Sequence, residues 1–154
     1  SIADNVTHRF LSTDMHGGAE NALMAALAAS APGDVVMHVL MILLPQLGPG
    51  TWLPGEFMQA TFDATLTVTA NERIVVNCAG NGSASLDDPQ LLRRFDRTFR
   101  DSGAIMVAAS DAGALVRAPF SNWGSRIDAH SWGNQVIAAG YGNLFFGNAD
   151  PRQA

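Results

Sequence analysis

Four histidines (His8, His16, His38, His130), one cysteine (Cys78) and an asparagine set between two glycines (Gly80-Asn81-Gly82) are the residues whose types allow chemistry in this 154-residue chain. The histidines show none of the close His, Cys or carboxylate spacing of a zinc site, so no transition metal is implied. His38, inside an apolar run, reads as a satisfied core histidine. Gly80-x-Gly82-x-x-Ser85 lacks the last glycine of the dinucleotide fingerprint, which argues against NAD binding. A single cysteine excludes an internal disulfide framework. On local grounds alone, Asn81 reads as an asparagine tolerating a left-handed turn beside its glycines.

The elements that must position these residues follow from composition and periodicity. A hydrophobic content of 47% is ample for one core, and a net charge of -5 argues against a nucleic-acid surface. Arg93, Arg94, Arg97 and Arg100 cluster at a spacing that lines a helix face, but Asp87, Asp88, Asp96 and Asp101 surround them, so a solvated helix end is expected. The apolar run Val35 to Leu44, broken by His38, is far short of the roughly 20 residues needed to cross a bilayer, and no membrane contact is expected. The first residues carry no charged-then-apolar leader pattern.

Ala3 to Ser12 alternates weakly and suggests a strand. Glu20 to Ser30 has the propensity of a buried helix stopped by Pro32-Gly33. Asp34 to Leu44 is apolar without alternation, as an interior strand of a parallel sheet should be. Pro45 to Gly55, with three prolines and three glycines, predicts an irregular loop. A helix over Phe57 to Ala70 and a buried strand over Arg73 to Ala79 complete a strand, helix, strand order, hence a right-handed parallel crossover and an α/β fold. Ala104 to Ser110 predicts a third strand, Asp111 to Phe120 a hairpin-like return, and Gln135 to Ala139 a short strand. No repeat and no second domain is visible; residues 1–154 form one unit.

Ile74-Val75-Val76-Asn77-Cys78-Ala79-Gly80-Asn81-Gly82 resembles the apolar strand of subtilisin-like serine peptidases that ends in Ala-Gly-Asn and a small residue. Ser102 to Ser110 and then Phe120-Ser121-Asn122-Trp123-Gly124-Ser125-Arg126-Ile127-Asp128-Ala129-His130-Ser131-Trp132-Gly133 resemble the next strand and the Phe-Ser-Asn-aromatic-Gly segment of that family, in the same order. Ser1 to Val6 and Gly33-Asp34-Val35-Val36 resemble two earlier segments, so the likeness covers nearly the whole chain. It implies a three-layer α/β fold with a mostly parallel central sheet, incomplete at both ends.

The resemblance further implies serine-type endopeptidase chemistry in which Asn81 donates to the developing oxyanion of acyl transfer. It puts Val39, Leu40 and Met41 on one wall of the primary substrate pocket and Ala79 and Gly80 on the other, with an apolar lining. Where many relatives have Ser-Leu-Gly, this chain has Val39-Leu40-Met41. The family's Asp, His and Gly-Thr-Ser nucleophile normally lie outside the matched segment, so this chain alone is expected to be inactive. His16-Gly17-Gly18 copies a triad motif but sits closer to Asn81 than the family's catalytic histidine normally lies, and Asp101-Ser102-Gly103 copies another at a position that family order does not allow. No cofactor is required; structural calcium, with Asp87, Asp88 or Asp128 as donors, belongs to many relatives. The implied partners are a peptide or protein substrate and the remainder of the peptidase domain, and the implied location is extracellular or at the cell envelope. A non-enzymatic peptide-binding module on the same scaffold is the alternative.

Overall fold

The computed structural model describes residues 7 and 9–136. After a one-turn helix, α1 (Thr13–His16), Gly17 reverses the chain with φ 70° and α2 (Ala19–Ala29) begins. Pro32 cannot continue it, and the Asp34 carboxylate accepts from the Ala31 N–H at 2.8 Å to close the turn into β1 (Val35–His38). Next come β2 (Met41–Leu43), β3 (Trp52–Pro54), α3 (Gln59–Ala70), β4 (Ile74–Cys78), β5 (Ile105–Ser110) and β6 (Ala129–Trp132). The threonines of α3 are poor helix formers, yet Thr65 at the buried face hands its hydroxyl to the Thr61 carbonyl at 2.8 Å, which removes the cost of burying it.

Four strands form one sheet in the order β1-β4-β5-β6, each pair parallel. The expected α/β class and the parallel crossover through α3 are therefore present. Alternate residues of β1, β4 and β5 point to opposite faces. On one face Val36 and Val75 pack with Leu23 and Leu27 of α2 and Ala64 and Val68 of α3, a dry cluster closed by Ala104. On the other face Val35, Met37, Ile74 and Ile105 are exposed, Met37 to 75%. Of the three layers expected, the described residues thus supply two.

Several expectations need correction. Asp34 to Leu44 is not one interior strand: it breaks after His38, and among the described residues β1 is an edge with only β4 beside it. The break arises because Met41–Leu43 turns away to pair antiparallel with Trp52–Pro54. The proline- and glycine-rich stretch is accordingly not irregular throughout, holding a 3-10 turn at Pro45–Leu47, β3, and the first residue of a second 3-10 turn, Gly55–Phe57.

The arginine cluster lies on no helix. Leu92 and Arg93 have φ of 52° and 58°, and the chain proceeds by turns. Nor are these arginines merely solvated: Arg94 donates to the Phe57 carbonyl at 2.8 Å and Arg100 to the Glu56 carbonyl at 2.7 Å. Their guanidinium groups stack over Phe57 and Phe62. The expected strand over Ala3 to Ser12 lies partly outside the described residues, and positions 7 and 9–12 are not in a strand; Ile137 to Ala139 of the last expected strand lie outside too. The return after β5 is present as a single antiparallel bridge, Ser110 with Arg117.

Candidate functional site

β4 runs through the sheet interior with Val75, Asn77 and Ala79 buried, and Ala79 N–H still donates to the Val107 carbonyl at 2.9 Å. At Gly80 the chain leaves the sheet with φ 88°. A Cβ there would meet the Trp52 carbonyl oxygen at 2.4 Å, so only glycine lets β3 approach this closely. Asn81 follows, exposed, at the carboxyl end of a parallel strand, where open α/β sheets present their ligand crevices. Together with Cys78, Ala79, Gly80, Val107, Ala108, Ala109, Ser121, Ser131 and Trp132 it lines a groove of about 130 Å³.

The turn that carries Asn81 is held by a residue the sequence reading passed over. Asn122 is fully buried and makes four side-chain hydrogen bonds. Its Nδ2 donates to the carbonyls of Trp52 and Ala79, each at 2.7 Å, and its Oδ1 accepts from the N–H groups of Gly82 at 2.9 Å and Ala84 at 3.0 Å. Around it the two chain segments zip together: Ser83 N–H to Phe120 O, Trp123 N–H to Ala84 O, and Leu86 N–H to Trp123 O. The paired presence of Gly80-Asn81-Gly82 and Phe120-Ser121-Asn122-Trp123 in the sequence was the available signal for this clamp. Ser121, at the groove floor, accepts from Ala109 N–H and donates to the Asn122 carbonyl, so its hydroxyl is fully engaged.

The second expected wall is placed differently. Val39 is exposed, Met41 opens β2 opposite Pro54, and neither they nor Leu40 line the groove beside Asn81. Leu40 is tied to β4 and to the segment after β3: its carbonyl accepts from the Cys78 thiol at 3.7 Å and from Gly55 N–H at 2.9 Å. Burial pushes that thiol above its ordinary pKa, which leaves it a poor nucleophile.

Beneath the groove lies a polar network. Glu56 is 2% exposed; its Oε1 accepts from Asn77 Nδ2 at 2.5 Å and from Ser102 Oγ at 2.8 Å, and its Oε2 stands 4.0 Å from Arg126. Burial raises the carboxyl pKa, opposed by Ser102, Arg126, Asn77 and Arg100. Asn77 Oδ1 in turn accepts from His38 Nδ1 at 3.2 Å. His38 Nε2 is buried without a partner among the described residues, so the core histidine is only half satisfied, contrary to expectation. Burial, against the Asn77 bond, lowers its pKa and favours the neutral ring. No local pattern in the sequence marks Glu56, Ser102 or Arg126 as members of one cluster.

The triad look-alikes have other duties. His16 Nδ1 bonds the Ser12 carbonyl within its own helical turn, and Asp101 accepts from Gly103 N–H in a tight turn. Among the possible calcium donors, Asp87 accepts from Ser125 N–H and Oγ, Asp88 caps the Pro89–Leu91 turn, and Asp128 pairs with Arg126 and Arg97. Among the described residues no three His, Cys, Asp or Glu side chains gather as a metal group, and no helix is long and apolar enough to cross a membrane. Comparison with protein-family models, with curated proteins and with solved structures found no match.

Proposed function

We propose that this chain is a segment of a subtilisin-like serine endopeptidase domain in which Asn81 is the oxyanion-hole donor. The observation that carries the reading is an exposed amide side chain at the carboxyl end of a buried parallel strand, on a turn held by the four hydrogen bonds of Asn122. A preorganised backbone is what oxyanion stabilisation needs, because a donor that must first reorganise gives back the energy it supplies. The groove beside Asn81 is open at the strand ends and bordered by Trp132, which suits an extended, partly apolar peptide. Asp, His and nucleophilic Ser come, on this reading, from the rest of the protein's peptidase domain, which acts outside the cell or at its envelope.

In the whole protein that carries this chain, Asn81→Ala lowers kcat on a peptide substrate by about two orders of magnitude with little change in KM, a magnitude taken over from subtilisin itself. An unchanged kcat removes Asn81 from the mechanism. The 154-residue chain by itself gives no turnover and takes no serine-directed fluorophosphonate label. A peptide-binding module is the second reading, favoured by the open edge of β1 among the described residues; peptide binding by a whole protein that never takes the label would select it.

A further inference from the structure

Segment 52–57 touches both the clamp that holds the Asn81 turn and the Leu40–Ile42 stretch. Trp52 O accepts from Asn122, whose other bonds hold Ala79 before Asn81 and Gly82 and Ala84 after it. Gly55 N–H holds the Leu40 carbonyl, and Leu53 and Pro54 pair with Ile42 and Met41. Between these contacts, Glu56 sends its side chain into the interior. There it meets Asn77 of β4, through which it reaches His38 at the end of β1. It also meets Ser102, three positions before β5, and Arg126, three before β6. Arg126 itself donates to the Ala104 carbonyl and pairs with Asp128, whose carboxylate accepts from Met106 N–H at 2.7 Å. One carboxylate thus reaches β4 directly, β1 through Asn77, and the segments that lead into β5 and β6, and its own three partners are all buried.

A buried carboxylate is expensive unless each lone pair is used, so a well-packed apolar cluster in place of Glu56 and its partners together would serve stability as well or better. What an apolar residue lacks is direction: hydrogen bonds at fixed angles hold β4 in one register against the 52–57 segment. We infer that Glu56 is a positioning residue, setting the separation between the Asn81 turn and the Val39–Met41 segment through Asn77 and the segment 52–57. The catalytic consequence rests on the peptidase reading; the mechanical coupling does not.

The test uses the whole protein with Glu56→Gln, Glu56→Ala and Ser102→Ala. Glutamine keeps an oxygen for Asn77 and Ser102; alanine keeps nothing. Expected are a kcat lowered on the order of tenfold to a hundredfold by Glu56→Ala with KM changed far less, and recovery of most of that loss in Glu56→Gln. Ser102→Ala should fall between the two. A purely structural role lowers the active fraction and the melting temperature but leaves kcat per folded active site equal in all three. That result, with active sites titrated, overturns the inference.

A second arm is independent of catalysis. Amide chemical shifts of Gly80, Asn81 and Gly82 and of Val39, Leu40 and Met41 should move together in Glu56→Ala and return in Glu56→Gln. Shifts confined to residues within direct contact of position 56 refute the coupling. If wild type shows no Asn81-dependent turnover, the peptidase reading fails and this arm alone decides. If Glu56→Ala does not fold, Ser102→Ala takes its place against wild type, with the same expected and refuting outcomes.

Discussion

Replacing Asn122 by alanine removes more hydrogen bonds at one stroke than any other single truncation near the groove. The bond to the Ala79 carbonyl is wholly buried, and leaving that oxygen without a donor costs about 1–3 kcal/mol. The bonds to Trp52 O, Gly82 N and Ala84 N are part-buried, and each contributes about 0.5–1.5 kcal/mol net. Water entering the vacated space recovers part of this, so the loss is about 3–5 kcal/mol. With a urea m-value of about 2 kcal/mol/M, the midpoint should fall by about 2 M. Tryptophan fluorescence is a suitable probe, since Trp52 and Trp123 flank the lost amide in the chain-to-chain contact. Asn122→Asp is the informative companion: it keeps an acceptor for the two N–H groups but sets a carboxylate against two carbonyl oxygens. It should be at least as damaging as alanine. A midpoint shift below about 0.3 M for alanine, with m unchanged, would refute the idea that Asn122 holds the Gly80–Ala84 turn.

Two further outcomes follow from named atoms. Gly80→Ala should cost at least about 2 kcal/mol, read as a lowered melting temperature, because φ is 88° and the new Cβ meets the Trp52 carbonyl; a neutral substitution sinks the close approach of β3. The folded His38 has a pKa below its ordinary 6.5, so the unfolded chain binds the proton first: His38's contribution to stability is complete above 6.5 and is lost as pH falls through it. Glu56, raised from 4.5, acts in the opposite sense: its contribution is lost as pH rises through its folded pKa. Urea midpoints between pH 7.5 and 5.5 should fall for wild type and flatten for His38→Gln; equal slopes would remove His38 as the source.

Much of the scaffold was legible locally. The apolar strands expected over Arg73 to Ala79 and Ala104 to Ser110 became β4 and β5 to within a residue at each end, and the alanine-rich stretch before Pro32 became α2. These are cases in which short-range periodicity, a glycine or a proline decides the backbone without help. The run Asp34 to Leu44 failed for the opposite reason. Its composition suits one buried strand, and only the arrival of Trp52–Pro54 beside Met41–Leu43 divides it. The arginine cluster failed likewise, because positive φ at Leu92 and Arg93 and the pull of the carbonyls of Glu56 and Phe57 override helical spacing.

The candidate site divides along the same line. Asn81 stands out in sequence through its glycines and the apolar strand before it, both local features. Asn122, Glu56, Asn77 and Ser102 acquire meaning only by meeting partners far along the chain: Asn122 and Trp52 are 70 positions apart, Glu56 and Ser102 46. Backbone conformation answers to neighbours within a few residues, whereas a buried polar side chain answers to whatever donor or acceptor the fold delivers to it. Residue order therefore determined the strands and the turn that present Asn81. Tertiary structure alone decided which amide holds that turn and which carboxylate is buried against β4 and the approaches to β5 and β6.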